Sequence, residues 1–160
     1  TCTTQPVASG SSVSGTTVNL GSYSPNDIIN GATAVPFSIK LAGCKGLRNI
    51  NVTLASTTMA TDATLLGNIL TLNHATGVGL EIRGAANSYS TETLIIPNES
   101  SSVYNDQRDT SSDDNIYGSS ENGKVQTHTL NFLATLKRDS NQKIGAGNFK
   151  ANAIFTLDYP

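Results

Sequence analysis

Two cysteines, two histidines and a run of aspartates are the residues of this chain whose types could do covalent or metal chemistry. Cys2 and Cys44 make a single even pair. In a chain rich in Thr, Ser and Asn they read most simply as one disulfide, formed in the periplasm or outside the cell. Two buried free thiols are the alternative. If bonded, the pair closes a loop of about 43 residues, worth about 4 kcal/mol on the chain-entropy argument, and ties the chain start to an interior strand. A zinc site lacks ligands, because only His74 and His128 remain and neither stands at finger spacing from a cysteine. His128 lies between Thr127 and Thr129 and is expected on the polar face of its strand. His74 has no acid near it in sequence, so both read as surface histidines without a catalytic role. Asp106, Asp109, Asp113 and Asp114 could offer oxygen ligands to calcium, but their spacing departs from the EF-hand order and a solvated acidic loop is the expectation. Gly10-Ser11-Ser12-Val13-Ser14 misses the second glycine of a nucleophile elbow. Gly145-Ala146-Gly147 leads into a strand and reads as a turn, not a dinucleotide loop. No catalytic residue, cofactor or metal is expected.

The elements that would position any site are strands. Of 160 residues, 37% are apolar and only 14% charged, while 20 Thr, 18 Ser and 16 Asn supply about a third of the chain. Long helices need the Ala, Leu, Glu, Lys and Arg that are scarce here, so an all-β fold follows. Ten basic residues against twelve acidic ones, with no basic run, exclude a nucleic-acid partner. No window reaches the roughly 18 apolar residues of a membrane helix. The sequons Asn51-Val52-Thr53 and Asn98-Glu99-Ser100 are of a kind that this composition makes by chance.

Apolar residues alternate at Val35, Phe37, Ile39 and Leu41, with Cys44 at the strand's end, and again at Ile50, Val52 and Leu54. Val78, Leu80 and Ile82 give a third strand; Leu130, Phe132, Ala134 and Leu136 a fourth. The clearest stripe is C-terminal: Phe149, Ala151, Ala153, Phe155, Leu157 and Tyr159 share one face. Thr16 to Leu20 and Thr93 to Ile96 are shorter strands, and residues 61–66 are a turn or one short helix. Residues 98–124 are dense in Ser, Asn, Asp and Gly and read as a long polar excursion, a loop or small hairpin around Tyr104 and Tyr117. One β-sandwich domain of about seven strand positions, in the immunoglobulin-like size class, accounts for residues 1–160. The last strand leaves a long apolar stripe beside an edge that nothing after it can cover, which argues for a partner strand supplied from elsewhere.

The cysteine pair, the segment Val35-Pro36-Phe37-Ser38-Ile39-Lys40-Leu41 running into Cys44, the Gly77-Val78-Gly79-Leu80-Glu81-Ile82 segment and the ending Gly147-Asn148-Phe149 through Tyr159 resemble the pilus subunits of the chaperone-usher pathway, type 1 fimbria-like ones above all. The resemblance spans nearly the whole chain. It implies an incomplete immunoglobulin-like sandwich of six own strands, whose seventh is a donor strand from the N-terminal extension of a neighbouring subunit. A periplasmic chaperone would fill the groove first, at the outer-membrane usher the donor would replace it, and the product would be an extracellular fimbrium. Carried onto this chain, the resemblance makes Phe149, Ala151, Ala153, Phe155, Leu157 and Tyr159 one wall of the groove. It makes Pro160 the chaperone's anchoring point and the region around Thr16 to Leu20 the opposite wall.

Only Thr1 precedes the first cysteine, whereas shaft subunits of the family carry about a dozen residues there, a length that suits a donated strand. The chain is therefore expected to accept a strand and not to donate one, either because an extension has been removed or because it is the pilin domain of a tip adhesin. The polar excursion favours the first. A competing class is a receptor-binding subunit that meets a host receptor with Tyr89, Tyr104, Tyr117 and residues 98–124.

Overall fold

A computed structural model describes residues 2–15, 17–44, 47, 49–107 and 126–160. Strands form where apolar residues recur at every second position. β4 (Val35–Cys44) buries Phe37, Ile39 and Leu41, and β5 (Asn49–Ala55) buries Ile50, Val52 and Leu54. β9 (Gln126–Arg138) buries Leu130, Phe132, Ala134 and Leu136. Each pattern is what a sheet with one inward face requires. β6 (Val78–Gly84) is instead buried on both faces. The ring of Tyr104 lies over Gly84, where a Cβ would stand 2.2 Å from a ring carbon, and Leu65 lies over Gly79.

The first sheet has the order β1 (Val7–Ser9), β4, β9, β6, β7 (Thr93–Leu94), and the second the order β10 (Ile154–Asp158), β5, β8 (Tyr104–Gln107). All of these pairs are antiparallel. β2 (Val13–Ser14) and β3 (Thr17–Val18) form a small ribbon. The two sheets close on one apolar core. Phe37 and Phe132 from the first sheet meet Phe155 from the second at ring separations of 6.0 and 5.0 Å. This is the all-β sandwich expected from composition, and Cys2 and Cys44 are disulfide-bonded, so the free-thiol alternative falls. The bridge joins residues 2–4 to the end of β4, where Thr3 N–H donates to Ala42 O and Ala42 N–H to Thr4 Oγ1, both at 3.1 Å.

Four expectations are corrected. First, the polar excursion is not wholly a loop: Tyr104–Gln107 is β8, paired with β5, and Tyr104 and Asp106 are buried. Alternation toward the core outweighs the polarity of the intervening Asn105 and Gln107. Asp106 is thereby no part of a solvated acidic loop; Asp109, Asp113, Asp114 and Tyr117 lie outside the described residues. Second, His128 is not on the polar face. It is 4% exposed and shares its parity with Leu130 and Phe132, so β9 turns it inward, where Asp106 receives it.

Third, a helix is present. α1 (Pro25–Ile29) starts at a capping box in which Ser24 Oγ accepts from Asp27 N–H at 3.1 Å and Asp27 Oδ2 accepts from Ser24 N–H at 2.9 Å, with Pro25 in the first turn. Residues 61–66 are turns, held by Asp139, whose carboxylate accepts from Thr61 N–H at 2.9 Å and Asp62 N–H at 2.7 Å. Fourth, the C-terminal strand is laddered only over Ile154–Asp158, since its partner β5 ends at Ala55, opposite Ile154. Of the shorter strands, Thr17–Val18 and Thr93–Leu94 form within the expected ranges.

Candidate functional site

Beyond the end of the β10 ladder, burial still alternates. Phe149, Ala151, Ala153, Phe155, Leu157 and Tyr159 are half-buried and pack against the core, while the residues between them are exposed. The inner edge of residues 148–152 is satisfied without a partner strand. Ser56 Oγ donates to Asn152 O at 2.7 Å, Ile69 N–H to Lys150 O at 2.8 Å, and Ala75 N–H to Asn148 O at 2.8 Å. Successive peptide groups of an extended chain point to opposite edges. The odd-numbered residues, which turn their side chains inward, therefore turn their peptide groups away from β5.

A groove of about 1140 Å³ runs along that side. Phe149, Ala151, Ala153 and Phe155 line one wall, and Ala8, Val18, Leu20 and Tyr23 line the other. Its floor is the inner face of the first sheet: Phe37, Ile39, Leu80, Ile82, Ala134 and Leu136. The groove thus lies between the edge strands β1 and β10, where a complete sandwich would carry one more strand. It exceeds the roughly 300–1,000 Å³ of a small-molecule pocket, and its apolar floor under a free edge suits an extended chain better than a compact ligand. Burial raises the phenol pKa of Tyr159.

Four of the six expected wall residues line the groove; Leu157 and Tyr159 pack on the core outside it. Pro160 is exposed beside Tyr159. On the opposite wall, Thr17, Val18 and Leu20 stand where expected, Thr16 lies outside the described residues, and β1 and Tyr23 were not foreseen. Val7-Ala8-Ser9 is too short to show a period, and Tyr23 sits between polar residues.

Of the residues named for the receptor-binding alternative, Tyr117 and residues 108–124 lie outside the described residues, and the two described tyrosines differ in exposure. Tyr104 is 1% exposed, with its hydroxyl donating to Ala85 O at 2.7 Å, whereas Tyr89 is 52% exposed. Burial, with the charge of Asp106 beside it, pushes the Tyr104 phenol far above its ordinary value. Among the described residues, His128 with Asp106 at 2.5 Å and Asn87 Nδ2–H donating to Asp106 Oδ1 at 2.8 Å form a cluster of catalytic appearance, buried between the sheets and outside the lining of the groove. Among the described residues no group of His, Cys, Asp and Glu could hold a metal ion, and no helix is long and apolar enough to cross a membrane.

Residues 2–160 match the family model described as fimbrial protein. No curated protein matches the chain. Among solved structures, the chain is similar to the P pilus rod subunit PapA, at 16% identity and a TM-score of 0.65, with 99% of each chain covered. It is also similar to the Burkholderia pseudomallei antigen and type I fimbria protein, at 20% identity and a TM-score of 0.55, over 99% of this chain and 91% of that one. The CupB6 tip adhesin from Pseudomonas aeruginosa is similar at 18% identity and a TM-score of 0.54, over 81% of this chain and 31% of the adhesin. At these identities the likeness is one of fold, and it gives the tip-adhesin alternative no advantage.

Proposed function

The chain belongs to the fimbrial protein family, and from that premise we propose that its groove is completed by a donor strand from a neighbouring subunit. As a member of that family it is a non-enzymatic structural subunit of an extracellular pilus, and its partners include other pilus subunits. One observation carries the finer reading: the apolar floor of the groove lies beside a strand whose inward side chains and outward peptide groups belong to the same residues, 149 to 155. A strand entering there gains main-chain hydrogen bonds along the edge and places alternate side chains on the floor, which is the chemistry of strand addition. Ala151 and Ala153 leave room for those side chains. Residues 1–160 act as one pilin domain in this reading. A periplasmic chaperone occupies the groove before the donor, with Pro160 at its anchoring end, and the outer-membrane usher is where the exchange takes place.

The test is thermal unfolding of the oxidised chain, alone and with a synthetic alternating peptide from the N-terminal extension of a subunit of the same fibre. At a hundredfold excess over Kd, a ligand of the native state adds about 2.7 kcal/mol. For a chain of this size that is a rise of about 5–10 °C. An unchanged midpoint would show that the sandwich needs no further strand.

A further inference from the structure

Asn68 stands outside both sheets, yet all four hydrogen-bonding positions of its side-chain amide are used. Nδ2 donates to Asn148 O at 2.8 Å and to Ala75 O at 3.0 Å, and Oδ1 accepts from Lys150 N–H and from Leu70 N–H, both at 3.1 Å. Two of these bonds hold backbone groups of the groove wall and two hold the loop that carries Asn68. The place matters because β5 has already ended at Ala55. From Ile154 to Asp158 the wall is a strand paired to a strand; from 148 to 150 it is held by the 68–75 loop, and Asn68 is the side chain that bridges the two. A backbone partner would supply one N–H and one C=O at each alternate residue, and an amide side chain presents the same two groups.

We propose that Asn68 is the positioning residue of the strand-accepting site: it keeps residues 148–150 aligned with β10, so that one donor strand can pair along the whole wall from Phe149 to Phe155. The inference rests on the donor-strand reading and adds to it which residue makes the far half of the groove competent. With Asn68 replaced by an apolar residue, Lys150 N–H loses its partner and Asn148 O keeps only the bond from Ala75 N–H, so the edge at Phe149 and Ala151 is held less firmly in line with that at Phe155. Pairing along β10 itself, which depends on β5, is untouched.

The experiment compares two probes on the oxidised chain: the full alternating peptide above, and a truncated form that spans only the β10 half. Asn68→Ala should weaken the full peptide about tenfold, the equivalent of one or two lost hydrogen bonds, and leave the affinity of the truncated peptide unchanged. Asn68→Asp keeps the size and both acceptor bonds but has no N–H to donate. It turns a carboxylate oxygen toward the carbonyls of Asn148 and Ala75, so it should weaken the full peptide at least as much as Asn68→Ala, while unchanged binding of the truncated peptide shows that either variant is folded. Equal weakening of both peptides would overturn the proposal, because it would make Asn68 a residue of general stability. So would an unchanged affinity of the full peptide. If wild type binds neither probe, the donor-strand reading itself fails and takes this inference with it, a result distinct from a wild type that binds both and a variant that binds both equally.

Discussion

Asp106 is a buried charge-bearing residue at which the two sheets meet. Its Oδ2 accepts from His128 on β9 and its Oδ1 from Asn87, so one carboxylate joins β8, β9 and the 85–90 loop with 2% of its surface exposed. Removing one member of such a group takes a hydrogen bond from polar atoms that stay buried, which costs more than the group's net contribution. Asp106→Ala should therefore lower unfolding free energy by about 3 kcal/mol, read from the urea midpoint. Asp158→Ala, on the outward face of β10, should stay within about 0.5 kcal/mol. Equal shifts would show that the cluster is not structural. From sequence, His128 falls on the wrong face: it stands two residues before Leu130 and continues the parity of Phe132 and Ala134, a pattern that its polar identity and threonine neighbours concealed. Asp106 was hidden too, because its partners are 19 and 22 residues away in sequence and only the packing of β8 against β9 brings them together.

At the scale of elements, β6 shows how a strand buried on both faces carries a charge. Burial pushes the Glu81 carboxyl up, but hydrogen bonds and charge from Arg83 and Lys137 outweigh it and hold the group below its ordinary value of 4.5. The folded state thus binds this proton less tightly than the unfolded chain. The stabilisation is full above about pH 4.5 and is lost as pH falls through the folded-state value. Urea unfolding between about pH 3 and 6 should show stability falling with acid in the wild type and falling less steeply in Glu81→Gln. Identical slopes would remove Glu81 from the account. Strand alternation made β4, β5, β6 and β9 readable, because each lies in a sheet with an inward face and few local exceptions. The capping box of α1 was equally local, with Ser24, Pro25 and Asp27 in place, but in a composition poor in helix formers five residues carry too little periodicity to mark a helix. β8 was hidden for the opposite reason: Asn105, Asp106 and Gln107 have loop chemistry, and β5 alone makes them a strand.

For the whole molecule, the disulfide and the groove are one problem. Cys2–Cys44 fixes residues 2–4 against the end of β4, and β1, three residues on, supplies part of the groove's second wall. The six-residue C-terminal stripe was legible as an apolar face. What alternation could not show was that the far half of that stripe would be held by Asn68 and Ser56 in place of a strand, since both contacts span some eighty to one hundred residues. An open sandwich keeps fewer apolar contacts than a closed one, so it depends more on what restricts its unfolded chain. Loss of the bridge in Cys2→Ser with Cys44→Ser should cost about 4 kcal/mol on the loop-entropy argument. A donor peptide at a thousandfold excess over Kd should return about 4.1 kcal/mol, provided the groove survives without the bridge. Urea unfolding with and without peptide separates the cases. Near-complete restoration would mean that the bridge acts on the unfolded chain and leaves the groove intact. Failure of the peptide to bind the double variant, while binding the oxidised chain, would mean that the bridge builds the second wall and that strand acceptance requires it.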